Sequence, residues 1–218
     1  MTTHLLPWRV RKAISDRFPL VYHLVRNAGM SGNDTAHWNH RLEKTWDLRD
    51  WPTKTSRIRE LTQSGDAVLD VGCGTGSILR SLRSDGYRDL HGMEISDYAI
   101  DRLRGEGITM WQGRLPDLPA PDARFDIVIA SQVLEHIIRR RRFVLEISRV
   151  LKPHGRALIF VPDDCLGPID EPEHVIKYNS GSLRAFLART FDVLSVESMH
   201  DANYAVPLLF AQVRRRSP

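Results

Sequence analysis

Three glycines and an acid are the most informative residues of this 218-residue chain. Gly72, Gly74 and Gly76 alternate with other residues directly after Asp70 and Val71. Because glycine has no side chain, the backbone stays uncovered there, and a bulky small molecule can lie directly on it. The N–H groups that open a following helix can hold the polar end of that molecule. A carboxylate at Asp70 accepts hydrogen bonds, which suits a cationic amine better than a phosphate.

The glycine spacing also separates two cofactor classes. A dinucleotide-binding turn has the pattern G-x-G-x-x-G/A, whose third small residue packs the helix against the strand. Counted from Gly72, that third position is Ser77, and the actual pattern is G-x-G-x-G after an acid. Residues 70–76, Asp-Val-Gly-Cys-Gly-Thr-Gly, resemble motif I of the class I S-adenosylmethionine (SAM)-dependent methyltransferases. The resemblance implies a SAM site that includes Asp70, Gly72, Cys73, Gly74 and Gly76.

A second acid ends the next predicted strand. In doubly wound sheets, an acid about 20 residues beyond the glycine turn reaches the ribose hydroxyls of the cofactor. Glu94 holds this position, and its two oxygens can accept a hydrogen bond from each hydroxyl. We therefore expect Glu94 and its neighbour Ile95 to bind the cofactor.

The segment 113–126 resembles the family segment G-D-x-x-x-L-P-F-P-D-x-x-F-D, with one departure. The family commonly has an aspartate after the glycine, which accepts a hydrogen bond from the adenine amino group. This chain has Arg114 there, and a guanidinium cannot accept. We expect the backbone at Arg114 and Leu115 to hold the adenine instead, with the guanidinium stacked on the ring or turned outward.

Two further residues follow the fourth predicted strand, and two histidines are candidate bases. Ligands of doubly wound sheets bind beyond the carboxyl ends of the strands, so Ser131 and Gln132 should line the methionine and sulfonium end of the cofactor. A hydroxyl acceptor also needs a base, and histidine has a suitable pKa. The candidates are His136 and His174, the latter in a segment rich in Pro, Gly and Asp. A structural role is the alternative for each histidine.

Metal binding is a separate question for the same region. Some relatives, the ubiquinone-biosynthesis O-methyltransferases and the small-RNA 2′-O-methyltransferases, bind a divalent metal through E-x-x-E-H in this loop. This chain has Gln132 at the first position, and a neutral amide is a poorer ligand for a hard cation than a carboxylate. We therefore predict a site without metal. The residues that would ligate one are Glu135, His136 and His174.

An α/β pattern positions these residues. From about residue 66, apolar runs alternate with amphipathic segments, which is typical of a sheet with helices on both faces. Strands are predicted at residues 67–71, 90–94, 109–112, 126–130, 157–161, 193–197 and about 206–212. Helices are predicted at residues 76–84, 97–104, 140–151 and 182–189. No helical pattern separates the last two strands, which predicts an antiparallel end. The resemblance implies a Rossmann-like, doubly wound, seven-stranded sheet, mostly parallel with the last strand antiparallel.

The first 60 residues have a different composition and show no strand alternation. They contain four of the five tryptophans, and Leu42 and Trp46 are at helical spacing. We predict a helical N-terminal cap at residues 1–60 over the carboxyl edge of the sheet, and a SAM-binding methyltransferase domain at residues 61–218. Packing is the favoured role of the tryptophans, and a substrate lid is the alternative.

The start of the chain is basic and amphipathic. Its apolar residues include Leu5, Trp8, Val10 and Ile14, among several arginines and a lysine. A cap helix is the favoured interpretation. Contact with a membrane surface or a lipid-linked acceptor is the alternative.

Composition bounds the class of protein. A hydrophobic content of 42% and a charged content of 27% are those of an ordinary soluble domain. Early charges argue against a secretory signal, and two cysteines suggest a reducing compartment, so a cytoplasmic location is expected. The net charge is +4, and basic clusters lie at residues 139–142 and 214–216. We favour solvated faces for both clusters over nucleic-acid or membrane contact.

These features together predict a SAM-dependent methyltransferase that forms S-adenosylhomocysteine (SAH). The acceptor is expected to be a small molecule, with O-methylation of a metabolite, sugar or lipid-linked intermediate favoured. Two alternatives stay open. The basic clusters suggest an RNA methyltransferase, and the cofactor motifs alone fit a SAM-binding module without turnover.

Overall fold

Seven strands form one central sheet in this computed structural model. The structure describes residues 6–27, 34–46, 51–203 and 205–216. The strands are β1 (Val68–Val71), β2 (Leu90–Glu94), β3 (Thr109–Gln112), β4 (Phe125–Ser131), β5 (Leu151–Pro162), β6 (Phe191–Met199) and β7 (Leu208–Arg215). All seven lie where the sequence predicts a strand. β5 begins earlier than predicted because Leu151 pairs with Phe125 across an irregularity in the register.

The strand order is β3-β2-β1-β4-β5-β7-β6. β1 pairs in parallel with β2 and β4, and β7 pairs antiparallel with both β5 and β6. The predicted Rossmann-like sheet with an antiparallel last strand is therefore confirmed. The chain reverses its direction of strand addition between β1 and β4, and doubly wound sheets bind ligands in the crevice beyond that point.

Eight α-helices lie in the described residues. They are α1 (Trp8–Arg17), α2 (Pro19–Arg26), α3 (Thr35–Thr45), α4 (Pro52–Glu60), α5 (Ser77–Ser84), α6 (Asp97–Gly105), α7 (Arg140–Val150) and α8 (Ser180–Leu187). The four predicted from the sequence, α5 to α8, begin and end within two residues of their predicted positions. Ser96 caps α6, because its hydroxyl accepts from the Ala99 amide at 3.3 Å. No helix in these ranges has the length and apolar character needed to cross a membrane.

Hydrophobic cores cover both faces of the sheet. Alternate residues of a strand point to opposite faces, so Leu69 and Val71 join one core and Val68 joins the other. The first core contains Phe143 of α7, and the second contains Leu82 of α5. This packing holds the carboxyl ends of β1, β2 and β4 in fixed positions, and the candidate site residues follow those ends.

Four helices and no strand precede β1 in the described residues, as the sequence predicts. Trp46 is buried in the second core, whereas Trp8 is 56% exposed. The tryptophans therefore do not share one role. The division of the chain into residues 1–60 and 61–218 stays a prediction, and Leu5 lies outside the described residues.

Candidate active site

A cavity of about 810 Å³ lies beyond the carboxyl ends of β1, β2 and β4. Helices α3 and α4 and the segment after β5 complete its wall. The wall contains all but one of the candidate residues from the sequence, namely Asp70, Gly72, Cys73, Gly74, Glu94, Ile95, Arg114, Leu115, Ser131, Gln132, Glu135, His136 and His174. The fold thus brings together residues that are up to about a hundred positions apart in the chain.

Gly76 is the candidate residue that does not line the cavity. Its φ is +71°, and a Cβ there would lie 2.4 Å from Leu103 Cδ2 of α6. The close approach of α6 therefore explains this glycine, which makes its role packing. Gly72 does line the cavity, with a φ of +68° and room for no Cβ, because Val133 Cγ2 would lie 2.7 Å away.

Backbone amides hold the Glu94 carboxylate at the cavity wall. One oxygen accepts from the Gly74 amide at 2.9 Å, and the other accepts from the amides of Ile95 at 2.7 Å and Ser96 at 3.1 Å. Burial raises the pKa of Glu94, although these three hydrogen bonds oppose the rise. The carboxylate is thus pre-oriented, and each oxygen keeps lone-pair capacity for a further donor.

The Asp70 carboxyl group is buried at the end of β1. Its Oδ1 atom has no hydrogen-bond partner in the described part of the chain. Burial raises the pKa of Asp70 to about 8, with a smaller rise from Glu94 and an opposing effect of Lys54. A cationic ligand in the cavity would favour ionisation and supply the missing donor.

Lys54 is a cavity residue that the sequence analysis missed. It lies on α4 and is only 1% exposed, yet its Nζ donates to Ser131 Oγ at 2.9 Å. The same Nζ lies 3.4 Å from the centre of the Trp51 ring, which is a cation–π distance. The neighbouring residues are polar, so no local pattern marks this lysine as buried. Its position introduces a positive charge beside the carboxyl groups of the site.

Glu135, His136 and His174 form a cluster deeper in the site. Their ligand-type atoms lie within 4.8 Å of one another, and the two imidazole centres are 4.7 Å apart. Nδ1 of His136 faces the Glu173 carbonyl at 3.2 Å, and Nδ1 of His174 faces the Leu166 carbonyl. Carbonyls only accept, so both Nδ1 atoms carry the proton. Each Nε2 therefore presents a lone pair.

Burial sets the protonation of this cluster. It raises the pKa of Glu135 to about 8, so this carboxyl group is protonated at neutral pH. Burial and the neighbouring His174 lower the pKa of His136 to about 3. Burial also lowers the pKa of His174, although the Leu166 carbonyl opposes the change. Both imidazoles are therefore neutral acceptors under ordinary conditions.

Helix α2 holds the segment that carries His174. His23 Nδ1 donates to the His174 carbonyl at 2.9 Å, Arg26 donates to the Ile169 carbonyl at 2.9 Å, and the Asn27 amide donates to the Pro172 carbonyl at 2.9 Å. These bonds satisfy backbone carbonyls of a segment without regular structure. The sequence analysis did not foresee them, because the partners are more than 140 positions apart.

Helix α3 holds the same segment through Glu173. One Glu173 oxygen accepts from Arg41 at 2.8 Å and from His37 at 2.9 Å. Burial alone would raise the pKa of Glu173, but the positive charge of Arg41 and its hydrogen bond lower it. The position of His174 thus depends on both α2 and α3.

Two of the predicted cofactor residues differ from the others in their surroundings: Cys73 is partly buried, and the Arg114 side chain is exposed. Burial, with Asp70 and Glu94 nearby, raises the pKa of the Cys73 thiol well above its usual range. This thiol lies close to Gly92, where a Cβ would be 2.9 Å from the sulfur. Its small size therefore serves packing. The Arg114 side chain is exposed at the cavity rim.

Unsatisfied polar atoms concentrate in this cavity. Among the described residues, four buried side-chain atoms without a partner belong to cavity residues: Asp70 Oδ1, Gln132 Nε2 and both oxygens of Glu135. A buried polar atom without a hydrogen-bond partner lowers the folding stability by about 1–3 kcal/mol. Such a concentration indicates a site that a polar ligand completes.

Known proteins resemble the chain around this site. Residues 69–159 match the family model described as a methyltransferase domain. A probable S-adenosylmethionine-dependent methyltransferase of Mycolicibacterium smegmatis is 34% identical over 102 residues, which cover 46% of this chain and 39% of that protein. One of Mycobacterium tuberculosis is 29% identical over 165 residues, which cover 68% of this chain and 60% of that protein. The matches thus span about two fifths to three fifths of these relatives.

The fold also resembles a solved methyltransferase. This is the Burkholderia thailandensis 1,6-didemethyltoxoflavin-N1-methyltransferase with bound 1,6-didemethyltoxoflavin and S-adenosylhomocysteine. The TM-score is 0.69 with 17% identity, and the match covers 91% of each chain. The family match runs through β1, β2 and β4 and so includes the glycine turn and Glu94. Residues 69–159 of the chain are therefore similar to the methyltransferase domain of SAM-dependent methyltransferases.

Proposed function

We propose that this chain binds SAM in the cavity and transfers its methyl group to a small-molecule hydroxyl, on a metabolite, a sugar or a lipid-linked intermediate. The observation that carries the proposal is the orphaned Asp70 Oδ1 beside the glycine turn. In this proposal Asp70 receives the ammonium group of the cofactor, and Glu94 receives the ribose hydroxyls. The charge of Lys54 complements the cofactor carboxylate. Gly72 would present bare backbone to the cofactor at the cavity wall.

The residues of the cavity would then align the acceptor with the methyl group and exclude water. When bound, SAM would supply an electrophilic methyl carbon on a sulfonium: the acceptor oxygen would bond to that carbon in line as the C–S bond breaks, and SAH would leave. The enclosed cavity excludes water and aligns the acceptor, and proximity of this kind contributes up to about 7–11 kcal/mol in well-oriented reactions. A volume of about 810 Å³ lies at the upper end of the range for small-molecule pockets, so a second molecule fits beside the cofactor.

His174 is the proposed base for a hydroxyl acceptor. His174 lines the cavity, and its Nδ1 donates a hydrogen bond to the Leu166 carbonyl. Its Nε2 therefore keeps a lone pair that can accept a proton. His136 has the same tautomer, but a pKa of about 3 makes it too weak a base for efficient proton removal. We propose that His136 positions His174 by edge-to-face ring contact.

The N-terminal residues complete this site in the proposal. Residues 1–60 form the cap and residues 61–218 form the catalytic domain. Support comes from Trp38, Arg41 and Lys54, which precede residue 61 and line the cavity. The tryptophan ring at position 38 also contacts His136 edge to face.

Ion pairs of three arginines in the basic clusters favour a small acceptor over RNA. Arg142 pairs with Asp117 at 2.6 Å, and both Arg214 and Arg216 pair with Asp192 at 3.5 Å. Arginines in ion pairs have less charge available for phosphates. Support for a cytoplasmic location comes from Cys73 and Cys165, which are both free thiols, as is usual in reducing compartments.

Calorimetry with SAH followed by a transfer assay tests the proposed function. We expect one SAH site per chain, and transfer of label from methyl-labelled SAM to a hydroxyl-bearing acceptor. No heat with SAH would contradict the cofactor site. Binding without transfer to any acceptor class would support a binding module. Label in RNA, with binding that weakens steeply as salt rises, would support the RNA alternative.

The cluster of Glu135, His136 and His174 supports a second candidate role as a divalent metal site. Its specific observation is that one ligand-type atom from each of the three residues lies within 4.8 Å of the others, and that the buried carboxyl group has no partner in the described residues. Backbone carbonyls orient both imidazoles, as they do around bound metals. Two imidazoles and one carboxylate suit zinc or iron(II).

This role predicts that Zn²⁺ raises the melting temperature of the protein and that Glu135→Gln abolishes the rise, because the amide loses the anionic ligand. The exposed Glu43→Gln is the matched control and should behave as the wild type. Full turnover in EDTA with no Zn²⁺-dependent shift would contradict the metal role and leave the base role of His174.

A further inference from the structure

We propose that α1 and α2 form a surface that docks on a bilayer containing anionic phospholipids. Among the described residues, ten large hydrophobic side chains are exposed, and seven of these lie between residues 6 and 25. Such side chains are normally scattered singly over a surface, and a cluster marks an interaction site. This surface, called here the α1–α2 surface, is separate from the cavity wall.

Helix α2 exposes its apolar face to solvent, unlike an ordinary helix on a protein surface. Val21, Leu24 and Val25 share one face at i, i+3 and i+4 spacing, and they are 56%, 53% and 46% exposed. His23 lies on the other side, is buried and bonds to the segment that carries His174. A soluble helix turns its apolar stripe toward the core, whereas α2 turns it toward solvent.

The residues before α2 add further exposed apolar side chains. Phe18 is 57% exposed at the start of α2, and Trp8 is 56% exposed at the start of α1. Leu6 and Val10 add 44% and 43% exposed side chains. Aromatic side chains beside aliphatic ones are typical of helices that lie in the membrane interface.

The same segment is positively charged, which favours binding to an anionic surface. Residues 6–17 contain Arg9, Arg11, Lys12 and Arg17, against a single acid. That acid, Asp16, pairs with Lys12 at 3.3 Å and with Lys177 at 3.2 Å. Each basic residue near an anionic bilayer contributes about 1 kcal/mol. The apolar face is therefore accompanied by charge complementary to phospholipid headgroups.

The same charge argues against a second copy of the chain as the occupant. A two-fold dimer through the α1–α2 surface would place identical patches against each other. The arginines of one copy would then face those of the other, and like charges oppose such an interface. A bilayer of opposite charge satisfies both the apolar and the basic residues.

Docking through this surface would bring the cavity to the membrane. Helix α2 is bonded to the segment 166–174, which contributes to the cavity wall. The docking itself does not depend on the proposed methyl transfer. If both hold, the acceptor is the lipid-linked member of the proposed class.

Vesicle co-sedimentation of the whole chain tests the proposal. We expect binding to phosphatidylcholine vesicles that contain about one third phosphatidylglycerol, and binding about tenfold weaker to phosphatidylcholine alone or at high salt. The Val21→Ser/Leu24→Ser variant should bind the anionic vesicles about tenfold more weakly. Leu145→Ser on α7 is the matched control, because Leu145 is 59% exposed away from this surface. It should bind as the wild type does.

A charge variant keeps the proposal falsifiable if the serine variant fails to fold. Arg9→Ser/Arg17→Ser should lose about tenfold in binding to anionic vesicles and retain its weak binding to phosphatidylcholine. Absence of wild-type binding to anionic vesicles would overturn the proposal. An equal loss in Leu145→Ser would overturn it too. A dimer that Val21→Ser/Leu24→Ser dissociates, without vesicle binding, would assign the surface to a second copy.

Discussion

Asp70→Asn is expected to weaken SAH binding by about 100-fold, because it removes the carboxylate charge that in the proposed site pairs with the cofactor ammonium group. The Asp70 carboxyl group is 2% exposed, so water cannot replace the lost interaction. The amide also brings donor hydrogens toward a cationic group. Loss of a buried charge partner of this kind commonly costs 100-fold or more in affinity.

The same residue gives SAH binding a distinct pH dependence. The pKa of Asp70 is about 8 in the free protein, so the group is neutral below that pH and must lose its proton to hold the ammonium. Affinity in the wild type should therefore rise about tenfold per pH unit from about pH 6 to pH 8 and level off above. In Asp70→Asn the affinity should be independent of pH over this range.

Calorimetric titrations with SAH at several pH values measure both effects. Asp101→Asn, an exposed acid on α6, is the matched control and should retain wild-type affinity and its pH dependence. Glu94→Ala should also weaken binding severely, since the ribose loses its acceptor. Unchanged affinity in both Asp70→Asn and Glu94→Ala would refute the cofactor assignment.

His174→Ala is expected to lower kcat by about 10²–10⁴-fold while SAH affinity stays within about twofold of the wild type. The loss follows from removal of the Nε2 lone pair that accepts the proton of the hydroxyl. Cofactor affinity is retained because His174 lies on the segment after β5, away from the glycine turn. His136→Ala should lower kcat less, because it acts only through the position of His174.

The pH profile separates a base from a structural residue. His174 must be neutral to act, and its pKa lies below the usual 6.5 because of burial. At saturating SAM, kcat should therefore fall only as the pH drops below about 6.5, and this acid limb should disappear in the residual activity of His174→Ala. Steady-state kinetics with an acceptor that the enzyme methylates measure this pH profile. His200→Ala, at an exposed histidine, is the control. Normal turnover in both His174→Ala and His136→Ala would show that the base lies elsewhere.

Local sequence was sufficient for the sheet and for the two acids at its carboxyl edge. Asp70 is the next-to-last residue of β1 and Glu94 is the last residue of β2, and both acids line the cavity. The prediction works because strand, turn and helix signals are encoded within a few residues, and parallel strands bring their carboxyl ends to one edge. Gly76 was not predicted to pack against Leu103, because the two residues are neighbours only in the folded structure.

The amino-acid sequence by itself determined the glycine turn, the strand ends and the order of elements, because these depend on backbone preferences and periodicity within short segments. Only the tertiary structure decided which distant groups meet. It buries Lys54 beside Ser131, brings His136 to His174, and turns the apolar face of α2 outward. A helical pattern predicts that a face is apolar, but the partner that covers it is chosen by packing across the whole chain.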